Sequence, residues 1–269
     1  MFFDEPKPKG KVVILPVTNA DKKKAVIFGH SHVWSIRRAL AAGWAHSDVI
    51  IKDLACGTKE LPGSIVYRSE DGRTRINSVI LSIIHRISSS KCASNTSFVS
   101  MVEGNYYNRL GMFVEGAIFD FVLKEHVEIP LTPGATVLPT SAVIDALEAQ
   151  MKQLRDFLPA LVRETGGKRI IVVGPPPPSA SNTLITKRLK TESESLSISP
   201  ASVRLKLWVL QNQLVGNYCK KNGIQYLSGD LTGTLDSAGY TRLEFMKDSV
   251  HPNHTYANHL LNAIAEYIV

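Results

Sequence analysis

Residues 25–44 read AVIFGHSHVWSIRRALAAGW, and this stretch decides the fold class. Its first five residues, Ala25 to Gly29, form a short apolar run that ends in glycine, which is typical of a buried strand. From Val33 to Trp44 the apolar residues recur at helical spacing. The stretch therefore predicts a strand, a tight turn at His30-Ser31-His32, and a helix.

The same alternation of strand and helix continues to the end of the chain. Further strands are predicted at Asp48 to Leu54, Ser97 to Val102, Arg169 to Gly174 and Gln225 to Ser228, and further helices at 77–88, from Ser141 to a stop at Gly166-Gly167, at Ala201 to Asn222, and at Thr255 to Tyr267. Such an alternation favours a mostly parallel sheet that is covered by helices on both faces. We predict an α/β protein, a three-layer αβα sandwich.

Three segments depart from this alternation. Glu70-Asp71-Gly72 lies between two short apolar runs and predicts a hairpin turn. Residues 110–140 contain three prolines and no sustained periodicity, so they are interpreted as an insertion that could carry a short hairpin. Residues 179–199 are rich in Ser, Thr, Lys and Glu, which indicates a solvated, flexible loop. Without a repeat or a change in composition, residues 1–269 are expected to form a single domain.

Composition and charge narrow the classes of partner. The chain has 269 residues, of which 44% are hydrophobic, so it can bury an α/β core. The net charge is +7, but the lysines at 22–24 and the basic residues near 187–190 have no interleaved aromatics, so nucleic acid is not an expected partner. No apolar run approaches the roughly 20 residues that cross a bilayer, so no membrane partner is expected. The oligomeric state is left open.

The cysteines and the N-terminal residues give expectations about the compartment. Cys56, Cys92 and Cys219 are widely spaced and odd in number, which indicates neither a disulfide framework nor a zinc knuckle. Residues 1–19 lack the apolar core of roughly 7 to 15 residues that a secretory signal carries, so a cytoplasmic protein is expected unless a leader was removed. No G-x-G-x-x-G follows the first strand, and no cofactor is expected.

Unusual polar residues follow the first and third predicted strands and precede the last helix. They are His30-Ser31-His32, Asn105, and Asp248 with His251. Ligands of open parallel sheets bind beyond the carboxyl ends of the strands, so these residues are expected to meet there. A serine at such a turn also has its N–H at a helix N-terminus, where the partial positive charge favours an anion.

These residue types fit nucleophilic acyl chemistry. The Ser31 hydroxyl needs a base, a task that suits histidine side chains in general, and His251 can supply it. Asp248, three residues earlier, can hold the other imidazole nitrogen. An oxyanion needs hydrogen-bond donors, for which the candidates are the N–H groups of Ser31 and Gly57 and the side-chain amide of Asn105.

In their order along the chain, these residues resemble the SGNH or GDSL-like esterases and lipases. The resemblance is carried by Gly29 and Ser31, Gly57, Asn105, Asp248 and His251, together with Val172 to Pro178 as the fourth strand and its exit. It implies a flavodoxin-like hydrolase fold, a nucleophile at Ser31, an oxyanion hole that includes Gly57 and Asn105, and a base at His251.

The sequence also departs from the family pattern. His30 stands where the family has aspartate, and the third block reads Glu103-Gly104-Asn105, which leaves Asn108 as a rival for the oxyanion role. Gly63 is a rival for Gly57. His30, His32, Tyr106 and Asn108 are further candidates for lining a pocket. No metal is expected, because the histidines near Ser31 lack local ligand spacing.

Plainer roles exist for the same residues. Ser31 could cap the helix that starts at Val33, and Asp248 could cap the last helix or form a turn with its own backbone. Asn105 could stabilise a tight turn. The downstream Asp-x-x-His favours the nucleophile role for Ser31.

The family resemblance implies ester hydrolysis or acyl transfer through an acyl-Ser31 intermediate. Because the family includes carbohydrate deacetylases and O-acetyltransferases, the expected partner is a carbohydrate or other small-molecule ester, and the expected acyl group is a small one such as acetyl. One alternative is an O-acyltransferase that excludes water. Another is a non-catalytic carbohydrate-binding or scaffold protein that keeps only the fold.

Overall fold

A computed structural model describes residues 22–69, 71, 73–89, 93–102, 105–166, 169–192 and 196–268. Parts of several features singled out in the sequence lie outside these residues. They are residues 1–19, Glu70 and Gly72 of the predicted hairpin turn, Cys92, Glu103 and Gly104 of the third block, Gly167 of the predicted helix stop, and residues 193–195 of the predicted loop.

The strands of the described residues agree with the predicted ones to within one or two residues in the central sheet. They are β1 Lys23–Gly29, β2 Val49–Ala55, β3 Val66–Arg68, β4 Thr74–Ile76, β5 Thr96–Met101, β6 Phe113–Glu115, β7 Phe119–Asp120, β8 Thr136–Val137, β9 Ile170–Val173, β10 Leu196–Ile198 and β11 Gln225–Leu227. Strands β3 and β4 pair antiparallel, as the predicted hairpin requires.

The helices are α1 Val33–Ala41, α2 Ser78–Ser88, α3 Tyr106–Gly111, α4 Thr140–Gln150, α5 Lys152–Thr165, α6 Thr183–Glu192, α7 Ala201–Lys221 and α8 His254–Ile268. Among the described helices, none combines the length and the apolar composition that a membrane span requires.

The central sheet has five parallel strands in the order β11-β9-β5-β1-β2. From β1 the chain first moves outward to β2 and then returns to the other side of β1 to form β5. The strand order therefore reverses between β1 and β5, and such a switch point is where this class of sheet binds ligands. The predicted α/β sandwich with a parallel sheet is confirmed.

Side chains of β1 alternate between two buried faces, which explains why the strand is apolar from Ala25 to Phe28. Val26 and Phe28 pack into one core cluster with residues of α2, α5 and α7. Ala25 and Ile27 face the opposite cluster, which α1 and α8 cover. Burial on both faces is what a parallel sheet between two helical layers requires.

Gly29 allows the ends of β1 and β5 to approach closely. A Cβ atom added there would lie 2.5 Å from the carbonyl oxygen of Met101, which is far inside van der Waals contact. Gly29 pairs with Met101 in the sheet register. The residues that follow the two strands, Ser31 and Asn105, therefore start from adjacent positions at the carboxyl edge.

The prediction of one continuous helix from Ser141 is wrong. The helix breaks at Met151, whose ψ of 2° separates α4 from α5. The apolar spacing continues across the break because Leu147 and Leu154, one on each helix, are both fully buried in the same core cluster. The stop at Gly166 is confirmed, since this residue ends α5 with a φ of +63°.

Pro159 lies inside α5, where it cannot donate a hydrogen bond to the carbonyl of Arg155. The hydroxyl of Tyr218 on α7 donates to that carbonyl instead, at 3.1 Å. This contact satisfies a backbone oxygen that the proline leaves without its helical partner.

The segment at 179–199, which was predicted to be a flexible loop, has regular secondary structure in its described part. It contains α6 and β10, and β10 pairs antiparallel with β6. The buried guanidinium of Arg204 on α7 donates to the carbonyls of Ser179 at 3.0 Å and Ser199 at 2.6 Å, and to the side chain of Asn182. The polar composition hid this order because the anchoring group lies outside the segment.

The segment at 110–140 is anchored in a similar way. Asp120 and Lys206 form a buried ion pair at 2.9 Å, with side chains that are 0% and 1% exposed. The same ammonium donates to the carbonyl of Pro130 at 3.1 Å. Strands β7 and β8 pair in parallel, so the segment does not contain the short hairpin that the sequence suggested.

Candidate active site

Ser31 lies in the turn between β1 and α1, and its hydroxyl is directed at an imidazole. Its Oγ lies 2.8 Å from Nε2 of His251. The N-cap position of α1 belongs to His32, and no side chain caps the helix there. Ser31 is exposed, so its hydroxyl pairs with His251 at a surface that a ligand can reach.

His251 is held from its other side by Asp248. Its Nδ1 lies 2.9 Å from each carboxylate oxygen, and Oδ1 also accepts from the N–H groups of Val250 at 2.9 Å and His251 at 2.8 Å. Partial burial alone would raise the pKa of Asp248, but the hydrogen bonds from His251 and Val250 outweigh it and lower that pKa. An ionised carboxylate that accepts from Nδ1–H leaves Nε2 free to accept the Ser31 proton.

The loop that carries Asp248 and His251 is fixed by its own hydrogen bonds. The N–H of Lys247 donates to the carbonyl of His251 at 2.9 Å. Asn253 accepts from the first-turn N–H groups of Thr255 and Tyr256 in α8, and its own amide donates to the carbonyl of Glu244. Asn253, rather than Asp248, therefore caps α8.

Asn105 lies beside the Ser31 turn through a contact with His32. Its Nδ2 is 3.0 Å from Nε2 of His32. Its Oδ1 is buried, and within the described part of the chain it has no hydrogen-bond partner. The structure thus brings Asn105, which follows β5, into contact with the turn that follows β1, at the switch point of the sheet.

Asn108, the rival of Asn105, lies one turn further along α3. It lines a cavity of about 10 Å³ with Asp248, Ser249 and Arg204, which is room for about one water molecule. Its Nδ2 is buried and, among the described residues, has no hydrogen-bond partner. Asn108 therefore faces the Asp248 side of the site, whereas Asn105 contacts the residue next to Ser31.

Gly57 lies in the loop after β2 with a φ of +81°. Its N–H donates to the carbonyl of Leu61 at 2.9 Å, so an oxyanion at this group would have to displace that bond. The rival Gly63 also has positive φ, 75°, and its carbonyl accepts from the Cys56 thiol at 2.7 Å. Both glycines therefore have a conformational role in the loop that follows β2.

His32 is a buried histidine that contacts the imidazole of the site. Burial, followed by the nearby His251, lowers the pKa of His32 to about 3, against a smaller raising effect of Asp248. The rings of His32 and His251 meet edge to face with centroids 5.6 Å apart. His32 is therefore neutral at physiological pH, when its imidazole can accept one hydrogen bond.

The low pKa of His32 predicts a pH-dependent stability. Below a pH of about 6.5 the His32 side chain binds a proton in the unfolded state but not in the folded state. The free energy of unfolding therefore falls as the pH decreases towards the pKa of His32 in the folded state. His32→Gln should remove this contribution, which amounts to about 2 kcal/mol between about pH 7 and pH 5. Urea unfolding at both pH values measures it, with exposed His254→Gln as the control. Equal losses of stability in wild type and His32→Gln would contradict the prediction.

The remaining pocket candidates lie in different surroundings. Tyr106 is 5% exposed and packs in the hydrophobic core. His30 is partly buried, and its pKa is lowered by burial and by the neighbouring charge of Arg109. Within the described ranges, no group of three or more His, Cys, Asp or Glu side chains is placed to hold a metal ion.

Sequence reasoning missed an aromatic side chain close to the site. Trp34 lies one turn after Ser31 and is 41% exposed. The guanidinium of Arg37 lies 5.2 Å from its ring centroid and is held by the carboxylates of Asp53 and Glu60. The sequence shows a tryptophan three residues after the candidate nucleophile, but it does not show that the side chain is exposed.

Comparison with known proteins finds likeness in structure alone. No family model matches the sequence, and no curated protein matches it. A GDSL-like lipase from Bacteroides thetaiotaomicron is 13% identical, with 96% of this chain and 93% of that chain covered and a TM-score of 0.43. The periplasmic domain of a lipopolysaccharide acetyltransferase from Salmonella ser. Paratyphi A is 15% identical, with 94% and 87% covered and a TM-score of 0.43.

A third similar structure is a carbohydrate acetylesterase from Sinorhizobium meliloti. It is 12% identical, with 92% of this chain and 98% of that chain covered and a TM-score of 0.37. Likeness at these values carries no conclusion about the activity of this chain.

Proposed function

We propose that the protein is a serine esterase that removes or transfers a small acyl group, with acetyl on a carbohydrate as the preferred substrate. One observation carries the proposal. The Ser31 hydroxyl lies 2.8 Å from Nε2 of His251, whose Nδ1 is bound by the Asp248 carboxylate. This connectivity is the one that nucleophilic acyl chemistry at a serine requires.

In the proposed reaction, Oγ of Ser31 attacks the ester carbonyl while its proton passes to Nε2 of His251. The carbonyl oxygen becomes an oxyanion, for which the Ser31 N–H and the Asn105 amide are the proposed donors. Collapse of this intermediate expels the alcohol, which takes the proton from His251 and leaves an acyl-Ser31. Asp248 fixes the tautomer of the neutral His251 imidazole and stabilises the imidazolium that forms when the ring takes up the proton.

The second half of the reaction repeats these roles with a new nucleophile. Water, or the hydroxyl of an acceptor, gives its proton to His251 and attacks the acyl-Ser31 carbonyl. The regained proton returns to Oγ as the acyl group leaves. Water gives hydrolysis and a sugar hydroxyl gives transfer, and the same side chains serve both.

One feature of the site supports a carbohydrate substrate. The exposed indole of Trp34 offers an apolar face one turn from Ser31, on which a sugar ring can stack. Arg37 restrains the indole, so little side-chain entropy is lost when a ligand binds.

The proposal is tested with p-nitrophenyl acetate, butyrate and octanoate and with an acetylated xylo-oligosaccharide. We expect the acetyl ester to be cleaved faster than the octanoyl ester. Trp34→Ala should raise KM for the oligosaccharide about 5-fold, as expected for a loss of roughly 1 kcal/mol, and leave p-nitrophenyl acetate unaffected. Tyr267→Ala is the matched control, because Tyr267 is an equally exposed aromatic, at 42%, near the far end of α8.

The alternatives give different results in the same experiment. A transferase that excludes water shows turnover only when an alcohol or sugar acceptor is added. A non-catalytic binding protein retains the oligosaccharide without releasing acetate. Faster cleavage of octanoate than of acetate would contradict the proposed acyl size.

A further inference from the structure

His32 makes a contact that the proposed reaction has not used. Its Nε2 lies 3.0 Å from the side-chain nitrogen of Asn105, and its imidazole is buried between that amide and the ring of His251. We propose that His32 is a positioning residue that holds the Asn105 amide in the orientation in which it donates to the oxyanion. This inference rests on the proposed function.

The contact fixes which edge of the amide faces the reacting atoms. Nδ2 of Asn105 carries two hydrogens, and an acceptor on His32 engages one of them. The other hydrogen remains available to an oxyanion. In the reversed orientation the carbonyl Oδ1 would take this place, and a lone pair there repels a developing negative charge.

Only a neutral imidazole can act as this acceptor. The ionisable groups that face His32 are His251 and His30, which disfavour a positive charge on it, and Asp248, which favours one. Burial adds to the first effect and keeps His32 neutral. The acceptor therefore persists while His251 takes up and releases the reacting proton.

The backbone also holds His32 in place independently of this contact. Its carbonyl accepts from the N–H of Ser35 at 3.1 Å and from the Ser35 hydroxyl at 2.7 Å, in the first turn of α1. The imidazole thus extends from an anchored position one residue after Ser31. A side chain so fixed can transmit the geometry of the Ser31 turn to Asn105, which follows a different strand.

The test is a double-mutant cycle on p-nitrophenyl acetate hydrolysis. His32→Phe should lower kcat about 10- to 100-fold with KM nearly unchanged, less than the loss of the donor itself. Because His32 acts through Asn105, His32→Phe should cost nothing further when Asn105 is already alanine. His32→Gln, whose side-chain oxygen can accept the same hydrogen bond, should recover most of kcat. Effects of His32→Phe and Asn105→Ala that multiply would overturn the proposal.

A second measurement separates failure of this inference from failure of the proposed function. In ¹⁵N-labelled protein, His32→Phe should shift the side-chain amide signal of Asn105 and speed its hydrogen exchange, and His32→Gln should restore slow exchange. If wild type hydrolyses none of the esters, the proposed function fails and the NMR signal still decides the contact. An Asn105 signal that His32→Phe leaves unchanged overturns the inference whether or not the protein is an esterase.

Discussion

Replacing Ser31 by alanine is expected to lower acyl turnover at least about 10⁴-fold while leaving the fold intact. The change removes the attacking oxygen and its 2.8 Å contact with His251, and it buries no new group because Ser31 is exposed. Steady-state hydrolysis of p-nitrophenyl acetate and thermal unfolding measure the two quantities.

His251→Ala should cause a loss of similar size, and the double variant should be no slower than either single one, because the two side chains act as a unit. The matched control is His254→Ala, an exposed histidine three residues further on, at the start of α8. Wild-type turnover by folded Ser31→Ala protein would show that Ser31 is not the nucleophile.

The second large effect is expected at Asn105. Asn105→Ala should lower kcat about 100- to 1000-fold if its amide donates to the oxyanion. The substitution should change KM little, because the interaction forms mainly in the transition state.

Asn108→Ala is the natural control for Asn105. Asn108 lies in the short helix α3, which Asn105 precedes, and it is buried where Asn105 is half-buried, but it lines the cavity beside Asp248 rather than contacting His32. If Asn108→Ala proved the damaging change and Asn105→Ala the mild one, the oxyanion donor would be three residues away from the one proposed.

The central sheet could be predicted because its inner strands β1, β5 and β9 are buried on both faces. The apolar runs around Ala25, Phe98 and Ile170 are typical of such buried strands, and their alternation with helices favours a parallel sheet. The boundaries of α2, α7 and α8 also followed from apolar spacing.

The errors arose where distant residues decide the local structure. The break at Met151 leaves the apolar pattern unchanged because Leu147 and Leu154 pack on the same core face. The order of the polar segment at 179–199 depends on Arg204, a charged residue in α7 that donates to backbone carbonyls. Composition within a segment carries no information about such an anchor.

The candidate site also contains residues that could be predicted from the sequence and a contact that could not. Asp248 and His251 are three residues apart, and Ser31 follows a recognisable strand, so local patterns were sufficient to single them out. The contact between His32 and Asn105 depends on the register that pairs Gly29 with Met101, which no local pattern reveals. The sequence therefore indicated His32 as a pocket candidate without indicating its contact with Asn105.

The central claim is that His251 activates Ser31 as a nucleophile. It is tested most directly by reacting the protein with a fluorophosphonate and mapping the adduct by mass spectrometry. We predict one adduct on the peptide that carries Ser31 in wild type, and little or none in folded His251→Ala protein. Wild-type protein without an adduct, or with the adduct on another serine, would contradict the account.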